Sequence, residues 1–510
     1  MLETAKRSLK ILRIGWNAAK LKSATTEVER TLAKKALYNL FADARGVTMK
    51  VGQLLVQDDD TPLRPLLDNI EPLALELIGP YIETSMGKPL DEIFSEFDEA
   101  AAAASLGQVH HAKLLDGTEV AVKVRYPDIA DSIAAEMRLA GLLPGLGPVK
   151  TWGFDLDAYK TELKQNMDRE LDYRGEAARQ QYFIDRVRVQ GLHIPKVFPQ
   201  YATDRVLVQS WESGVKFTEV LKWPDHLQHE VGVTLLKTLF KSVFAAGEVH
   251  ADPHQGNSFY RYRNGAPEVV LLDFGCTAPI GEQARLALLK LIVALHHKQD
   301  VSPMACFAAM GFDGKKLSYI GQQLPMLSKI LLRPFLENAP FHLSFWRLSE
   351  DLATLLGDKR WWFRSAGPAN LLLLLRAFQG VVNQLQALHF YGSWWDILQQ
   401  TVGNNLLAHA QTFELPVVPE TRSAPTLSHL AKDLKVKVLE RNQPVVSVSM
   451  PAEAALDLEK LIPEDVLTHL RTSKELDLKA VLQRIRDTGL MPQVVFDTRL
   501  GERSYRVWLE

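Results

Sequence analysis

Residues 250–275 read HADPHQGNSFYRYRNGAPEVVLLDFG, and this stretch decides the fold. Its first half has the spacing H-x-D-x-x-x-x-N of a protein-kinase catalytic loop, with Asp252 and Asn257 at the last two fixed positions. Its second half ends in Asp273-Phe274-Gly275, the motif that follows such a loop in kinases. Asn264-Gly265 is a strong turn dipeptide between two strand-like segments, so we expect a hairpin that brings the two motifs together.

The residue types in these motifs suit phosphoryl transfer. This reaction has a loose transition state, so a protein mainly orients the nucleophile and neutralises charge through Mg²⁺. Asp252 is the candidate catalytic residue that accepts the proton of a hydroxyl or orients a water. Asn257 and Asp273 carry oxygens suited to a hard cation, so they are the candidate metal ligands. His250 is interpreted as a packed structural histidine and not as a ligand.

Composition sets wider bounds on the protein. A chain of 510 residues predicts two or more domains, or one bilobal core with additions. Hydrophobic residues make up 46% and charged residues 24%, which is typical of globular protein. The formal net charge of -2 gives no case for nucleic acid as a partner. The two cysteines, Cys276 and Cys306, are too few for a disulfide framework or a cysteine metal site, which favours a reducing compartment.

The expected location is cytoplasmic, with peripheral contact to a membrane as a further hypothesis. No apolar run reaches the roughly 18 residues that span a bilayer, and no secretory signal pattern is evident. Residues 1–22 form a basic amphipathic segment, with six cationic residues against Glu3. Such a segment fits a surface helix docked on the protein body better than a helix that lies on a membrane.

A second nucleotide-binding element is predicted around residues 101–124. Val109 to Lys113 and Glu119 to Val124 look like two strands joined by a turn at Asp116-Gly117. The second strand contains Ala121-Val122-Lys123, which resembles the V-A-I-K strand whose lysine holds the α- and β-phosphates. The preceding flap is alanine-rich, and an alanine run alone favours a helix. With Lys123 downstream, the flap becomes the candidate phosphate-covering loop, formed by Ala102, Ala103, Ala104 and Ser105.

A long helical stretch is predicted from Pro127 to about residue 187. A kinase-like site needs a glutamate on a helix to orient its lysine, and Glu170 is the preferred partner of Lys123. Glu162 and Asp172 remain alternatives, because acids on a helix are usually solvated. Strands follow near residues 194–198 and 205–209, and Ser210 and Trp211 begin the predicted interlobe hinge.

The remainder of the chain is predicted to be helical, followed by a small module. Residues 215–410 read as mainly helical apart from the catalytic hairpin. A linker at 412–427 precedes strand-like runs at 436–439 and 445–450, helices near 452–470 and 477–487, and strands at 494–497 and 505–509. Because this module has no evident constellation of catalytic residues, it is interpreted as a binding or oligomerisation module.

These motifs together resemble the UbiB-type (AarF) atypical protein-kinase-like family over roughly residues 40–300. Residues 50–53, Lys-Val-Gly-Gln, look like its K-x-G-Q signature, and residues 102–105 look like its alanine-rich replacement of the glycine loop. Residues 170–172 are similar to its E-x-D motif, and residues 250–257 to its H-x-D-P-H-x-G-N loop. The chain departs from the family at the hinge, where Gln209 and Ser210 replace the usual methionine and glutamate.

The resemblance implies an α+β, bilobal protein-kinase-like fold whose N-terminal helical extension covers the cleft. The implied parts are the extension (1–90), a kinase-like N-lobe (91–213) and a helical C-lobe (214–415). The small C-terminal α/β module (428–510) is predicted from the local pattern of strands and helices and not from the resemblance. It also implies that ATP and Mg²⁺ bind, with Lys50 and Gln53 lying over the nucleotide. The implied activity is that of an ATPase or small-molecule kinase in isoprenoid-quinone (ubiquinone) or lipid metabolism, with lipids or quinone-pathway proteins as partners.

Two alternatives to this enzyme remain. The first is a nucleotide-gated regulatory scaffold, or pseudokinase, which the alanine flap and an obstructed cleft would suit. The second is a conventional protein kinase. This second alternative is disfavoured because His254 stands where many serine/threonine kinases have lysine, and because no A-P-E motif follows Asp273-Phe274-Gly275 at a kinase-like distance.

Overall fold

The computed structural model describes residues 72–418, apart from residues 105, 128, 131–154 and 254, and most of residues 431–510. Lys50, Gln53, Ser105 and the basic segment 1–22 lie outside the described residues, so the predictions made for them stay predictions. The described chain forms two compact units. One contains residues 72–130, 161–279 and 373–390, and the other contains 155–160, 280–372 and 391–510.

Helices and strands alternate up to residue 279, helices dominate residues 280–412, and strands are the main elements described within residues 431–510. The helices are α1 (Leu75–Met86), α2 (Leu156–Leu171), α3 (Tyr173–Arg186), α4 (Phe217–Val220), α5 (Asp225–Phe240), α6 (Glu282–His296), α7 (Pro303–Ala309), α8 (Gly314–Leu317), α9 (Leu324–Leu331), α10 (Leu348–Leu356), α11 (Arg360–Ala366), α12 (Leu371–Ala387) and α13 (Trp394–Thr412). The strands are β1 (Phe94–Ala103), β2 (Gly107–Leu114), β3 (Glu119–Arg125), β4 (Leu192–His193), β5 (Val206–Ser210), β6 (Glu248–His250), β7 (Ser258–Arg263), β8 (Ala266–Leu271), β9 (Thr277–Pro279), β10 (Phe341–His342), β11 (Tyr391–Gly392), β12 (Asp433–Glu440), β13 (Gln443–Pro451), β14 (Gln493–Leu500) and β15 (Arg503–Leu509). A π-helical turn, Lys241–Ala246, continues α5.

The four-stranded sheet β1-β2-β3-β5 is antiparallel throughout. The turn predicted at Asp116-Gly117 is confirmed: Gly117 has a φ of 83°, which suits glycine, and the Asp116 carboxylate accepts the Thr118 N–H. Residues 94–98 lie in β1. The apolar side chains of Val120, Val122 and Val124 pack into a core on one face of the sheet, and such β-branched residues are enriched in strands.

The opposite face of this sheet carries Lys123. Residues that lie directly opposite each other in neighbouring strands share a face. Val109, Lys123 and Leu207 form one such row across β2, β3 and β5, and His111, Ala121 and Gln209 form the next. The two rows therefore place Lys123 and Gln209 on the same face of the sheet.

The hairpin predicted between the two kinase motifs is confirmed. Strands β7 and β8 pair antiparallel, and the turn residues Asn264 and Gly265 have φ values of 54° and 84°. Both residues therefore adopt the left-handed conformation that a two-residue hairpin turn requires. Strand β4 adds to β8 in parallel and completes a three-stranded sheet.

The second unit is built largely from helices, as the sequence predicts for most of residues 280–412. Its helical core includes buried residues from α6, α7, α9 and α11. Trp346, Trp362, Trp394 and Trp395 are buried. Among the described residues, no helix combines the length and the apolar character that crossing a membrane would need.

Strands β12 to β15 form a four-stranded antiparallel sheet in the order β13-β12-β15-β14. All four strands predicted for this region are confirmed, and none extends more than three residues beyond a predicted end. Buried residues of these strands and of the segments between them form a cluster that includes Leu434, Leu458, Ile485 and Val507. The domain boundaries predicted for the whole chain stay a prediction.

Candidate active site

Lys123 pairs with Glu176 of helix α3. The Lys123 Nζ lies 2.7 Å and 3.0 Å from the two carboxylate oxygens of Glu176, and 3.3 Å from Asp273 Oδ1. The Glu176 side chain is 1% exposed, whereas that of Asp273 is 34% exposed. A buried carboxylate therefore fixes the lysine from one side, and a more accessible carboxylate faces it from the other.

The charges of this group are strongly coupled. Burial alone lowers the pKa of Lys123, but Asp273 and Glu176 outweigh that effect and raise the pKa above its usual value. Burial raises the pKa of the Glu176 carboxyl, against the attraction of Lys123. Burial also raises the pKa of Tyr173, whose neutral ring lies 5.0 Å from the Lys123 Nζ. Lys123 therefore stays cationic at physiological pH, as a phosphate-binding group must.

The prediction that Glu170 partners Lys123 is wrong, as are the alternatives Glu162 and Asp172. Glu170 is buried and accepts a hydrogen bond from Asn166 Nδ2 at 3.2 Å. Asp172 caps α3, because its Oδ1 accepts the Gly175 N–H at 2.9 Å. The helical stretch predicted through this region is therefore divided at Asp172, and the second helix carries Glu176, the glutamate that pairs with Lys123.

We expect Glu176→Gln to lower the free energy of unfolding by about 3 kcal/mol, because it leaves the buried Lys123 with a weaker partner. It should also weaken nucleotide binding, since Lys123 is no longer held in place. Urea unfolding and nucleotide titration measure the two effects. Glu162→Gln, at a half-buried position on α2, is the matched control and should behave like the wild type. Equal losses in both variants would contradict the pairing.

The Asp273-Phe274-Gly275 segment is held at several backbone atoms. His250 Nε2 donates to the Asp273 carbonyl at 2.6 Å, which agrees with the interpretation of His250 as structural. The Phe274 N–H donates to Glu176 at 3.3 Å, and Arg179 donates to the Phe274 carbonyl at 3.0 Å. Asp273 itself has a φ of 58°, an uncommon value for a residue other than glycine. Helix α3 thus positions both Lys123 and the segment that carries Asp273.

The catalytic loop brings Asp252 and Asn257 together. Asn257 Nδ2 donates to the Asp252 backbone carbonyl at 3.0 Å, so the amide oxygen is the atom that remains for a cation. The backbone N–H of Leu272, next to Asp273, donates to the Asn257 carbonyl at 2.8 Å, which ties the loop to the second motif. The two predicted ligands are therefore near neighbours in the fold.

The predicted Mg²⁺ ligands fit the preferences of that ion. Mg²⁺ binds oxygen, keeps several waters, and takes one or two protein carboxylates together with substrate phosphates. Asp273 provides an accessible carboxylate and Asn257 an amide oxygen. Within the described ranges, no group of three or more histidine, cysteine or acidic residues forms a metal site. The donor set suits a cation that arrives with a nucleotide better than a resident metal.

The predicted nucleotide-binding loop is a strand and a tight turn. Ala102 pairs with Val109 and so joins the row that contains Lys123. Ala103 is the last residue of β1, and Ala104 exchanges backbone hydrogen bonds with Gly107 across the turn. Residues 101–103 are therefore part of strand β1, in the sheet that carries Lys123, in spite of the helix propensity of alanine.

The predicted hinge follows β5. The Ser210 hydroxyl donates to Glu212 at 2.8 Å, and the Trp211 N–H donates to the Glu119 carbonyl at 3.1 Å. Glu212 also accepts hydrogen bonds from His193 and, at 2.7 Å, from Arg261 of β7. These contacts attach the hinge to the catalytic hairpin.

Residues 65–305 match the ABC1 atypical kinase-like domain. These residues belong to the ABC1, or UbiB (AarF), family.

A chloroplast aarF domain-containing protein kinase of Arabidopsis thaliana is 34% identical, and the match covers 48% of this chain and 35% of that protein. The mitochondrial atypical kinase COQ8 of Saccharomyces cerevisiae is 28% identical, and the match covers 50% of this chain and 52% of that protein. The chain spans between 33% and 57% of the length of the curated relatives it matches. A solved structure, the Mycobacterium tuberculosis protein Rv3197 with erythromycin, is 25% identical over 74% of this chain and 98% of that chain, with a TM-score of 0.49.

The loop that carries Asp252 contacts helix α12, which lies beyond the matched residues. Arg376 Nη2 donates to Asp252 Oδ1 at 2.6 Å. Four residues later, a Cβ on Gly380 would lie 2.5 Å from Pro253, so glycine permits the close approach. Four residues further, Gln384 Nε2 donates to the Pro253 carbonyl at 3.0 Å. This spacing places the three residues on one face of α12, and that face holds the loop.

Arg376 is a site residue that the sequence reasoning missed. It interrupts the apolar run Leu371–Leu375, and a charge inside a buried helix signals a partner. Besides the hydrogen bond to Asp252, its Nη1 is buried without a hydrogen-bond partner in the described part of the chain. Arg376 thus holds the carboxylate of Asp252, the candidate catalytic residue, and its Nη1 lacks a partner among the described residues.

We expect Arg376→Lys to lower the turnover rate about tenfold with little change in the nucleotide dissociation constant, because lysine keeps the charge but loses the planar fork. The size corresponds to one charge-assisted hydrogen bond. Single-turnover kinetics and nucleotide titration separate the two quantities. Gln379→Ala, at an exposed position of the same helix, is the control. A faster Arg376→Lys enzyme would show that the arginine restrains Asp252 instead of positioning it.

Proposed function

We propose that the ABC1 domain binds ATP with Mg²⁺ and either hydrolyses it or transfers its phosphoryl group to a small molecule. The observation that carries this proposal is the placement of Lys123. It is cationic, it is fixed by Glu176, and it shares a sheet face with the alanine turn. The fold brings the same lysine to Asp273, which the hairpin connects to the catalytic loop.

Each residue has a defined role in this proposal. Lys123 binds phosphate oxygens of the nucleotide, and Glu176 keeps the lysine in place. Asn257 and Asp273 would hold Mg²⁺, which neutralises phosphate charge when it is bound. Asp252 orients the attacking hydroxyl or water and accepts its proton, while Arg376 fixes the carboxylate. The hinge at Ser210 and Trp211 contacts the base largely through backbone groups.

The release of ADP from ATP tests this proposal. Purified full-length protein should form ADP when Mg²⁺ is present and lose that activity in EDTA. Adding vesicles or candidate lipids and isoprenoid quinones then shows whether water or a small molecule is the acceptor. If neither nucleotide binding nor ADP formation is seen under any of these conditions, the proposal is wrong.

A second candidate function is a nucleotide-gated scaffold with little turnover. It is favoured by the hydrogen bond of 2.6 Å between Arg376 and Asp252, which engages the candidate catalytic carboxylate. Under this proposal the protein binds nucleotide tightly but releases almost no ADP. Stoichiometric ATP binding without turnover, in the presence of all the lipids tested, would favour the scaffold over the enzyme.

The biological setting is proposed from the family resemblance. The family resemblance implies a role in isoprenoid-quinone or lipid metabolism. The basic segment 1–22 would suit reversible contact with an anionic membrane surface. The cellular compartment and the lipid or protein partners belong to the same proposal. Liposome co-sedimentation of the full chain tests the membrane contact directly.

A further inference from the structure

Gln209 lies where the base of a bound nucleotide should sit. This inference rests on the proposed function, in which the phosphates contact Lys123 and the base reaches the hinge. Gln209 is opposite Ala121, one row along the sheet from the Lys123–Leu207 pair and on the same face. The next residue, Ser210, ends β5 and begins the hinge. A nucleotide that extends from Lys123 to the hinge therefore passes Gln209.

The hydrogen bonds around Gln209 fix which atom of its amide faces the cleft. Gln180 Nε2 lies 2.8 Å from the Pro195 carbonyl oxygen, which can only accept, so this atom must be the amide nitrogen. The same nitrogen lies 2.8 Å from Gln209 Oε1, and that atom must therefore be the oxygen. The Gln209 Nε2 consequently points away from Gln180, and it has no hydrogen-bond partner among the described residues.

A free amide N–H beside the base discriminates between purines. Adenine carries an amino group, a donor, at position 6, whereas guanine and hypoxanthine carry a carbonyl oxygen, an acceptor. Two facing donors leave a polar group unpaired in a half-buried site, while a donor facing a carbonyl makes a hydrogen bond. We propose that Gln209 Nε2 reads the 6-position of the base, so the site takes 6-oxo purine triphosphates at least as well as ATP.

Two substitutions of Gln209 alter the hydrogen-bonding groups of this side chain while they keep its size nearly constant. Gln209→Met is unbranched and of similar length, and it removes the donor. Gln209→Glu presents acceptors both to Gln180 and to the base, so it favours the amino group of adenine. Both variants should therefore shift the preference towards ATP, the second more than the first.

The test compares dissociation constants of Mg²⁺ complexes of ATP, GTP and ITP for the full-length wild type and both variants. We expect the wild type to bind GTP and ITP within about threefold of ATP or more tightly. Gln209→Met should shift the GTP-to-ATP ratio of dissociation constants at least about fivefold towards ATP. ITP should follow GTP, because both bases carry the 6-carbonyl and ITP lacks only the 2-amino group. These changes in the ratio of dissociation constants are of the size expected for the gain or loss of one hydrogen bond.

The outcomes separate this inference from the proposed function. A wild type that binds ATP but rejects both GTP and ITP by more than about tenfold overturns the role of Gln209, whatever the variants do. An unchanged ratio in a folded Gln209→Met variant does the same. A wild type that binds none of the three nucleotides overturns the proposed function and this inference together.

Discussion

Asp252→Asn should slow ATP turnover at least about 100-fold, because it removes the positioned base. Nucleotide binding should stay within about threefold of the wild type. An asparagine oxygen can still accept the hydrogen bond that Arg376 donates to Asp252 Oδ1, so the local fold should persist. Single-turnover measurement of ADP formation, alongside nucleotide titration, checks both parts.

The control for this substitution is Asp168→Asn. Asp168 is exposed on α2 and pairs with Lys164 at the surface, an interaction of little energetic weight. Its turnover should match that of the wild type. If Asp252→Asn and Asp168→Asn hydrolyse ATP at the same rate in pure samples, Asp252 has no catalytic role.

Asp273→Asn should weaken the binding of the Mg²⁺-nucleotide complex at least about tenfold, because a formal charge that faces the cation is lost. Asparagine is among the residues that best tolerate a positive φ, so the backbone at 58° should be kept. The substitution also removes one of the two carboxylates that raise the pKa of Lys123. Nucleotide is titrated into each protein once with Mg²⁺ and once with EDTA. The two nucleotide dissociation constants should differ in the wild type and become similar in Asp273→Asn.

Asp116→Asn provides the comparison for this second experiment. Asp116 lies in the β2–β3 turn, where its carboxylate accepts the Thr118 N–H, and an asparagine side chain makes the same turn contact. The Asp116→Asn variant should retain the full difference between the nucleotide dissociation constants measured with Mg²⁺ and with EDTA. A similar difference in Asp273→Asn would remove that residue from the metal site.

Local patterns predicted the parts of the site that depend on neighbouring residues. The hairpin was predictable because Asn264-Gly265 permits a turn that few other dipeptides allow. Lys123 was predictable because a strand-turn-strand pattern and an A-V-K sequence coincide. Glu176 was missed because the Asp172 cap divides a stretch that reads as one helix, and the break moves the functional acid six residues beyond Glu170.

Contacts between distant segments were not predictable in the same way. Arg376 and Asp252 are 124 residues apart, and no local period connects them. The carboxamide orientation of Gln209 depends on Gln180 and on one backbone carbonyl of Pro195. Such features depend on tertiary packing, so a single sequence indicates at most that a charge within an apolar run requires a partner.

The contact between α12 and the catalytic loop also has a consequence for how the molecule is made. Residues 65–305 contain every kinase motif described here except the K-x-G-Q signature, yet the loop that carries Asp252 packs against residues 376, 380 and 384. During synthesis, this loop is complete long before its supporting helix exists. Contacts of such high sequence separation form late and slowly, because a long loop must close first. The nascent chain therefore carries an unsupported catalytic loop through the synthesis of more than 100 further residues, and a fragment cut at the end of the matched domain would retain that state permanently.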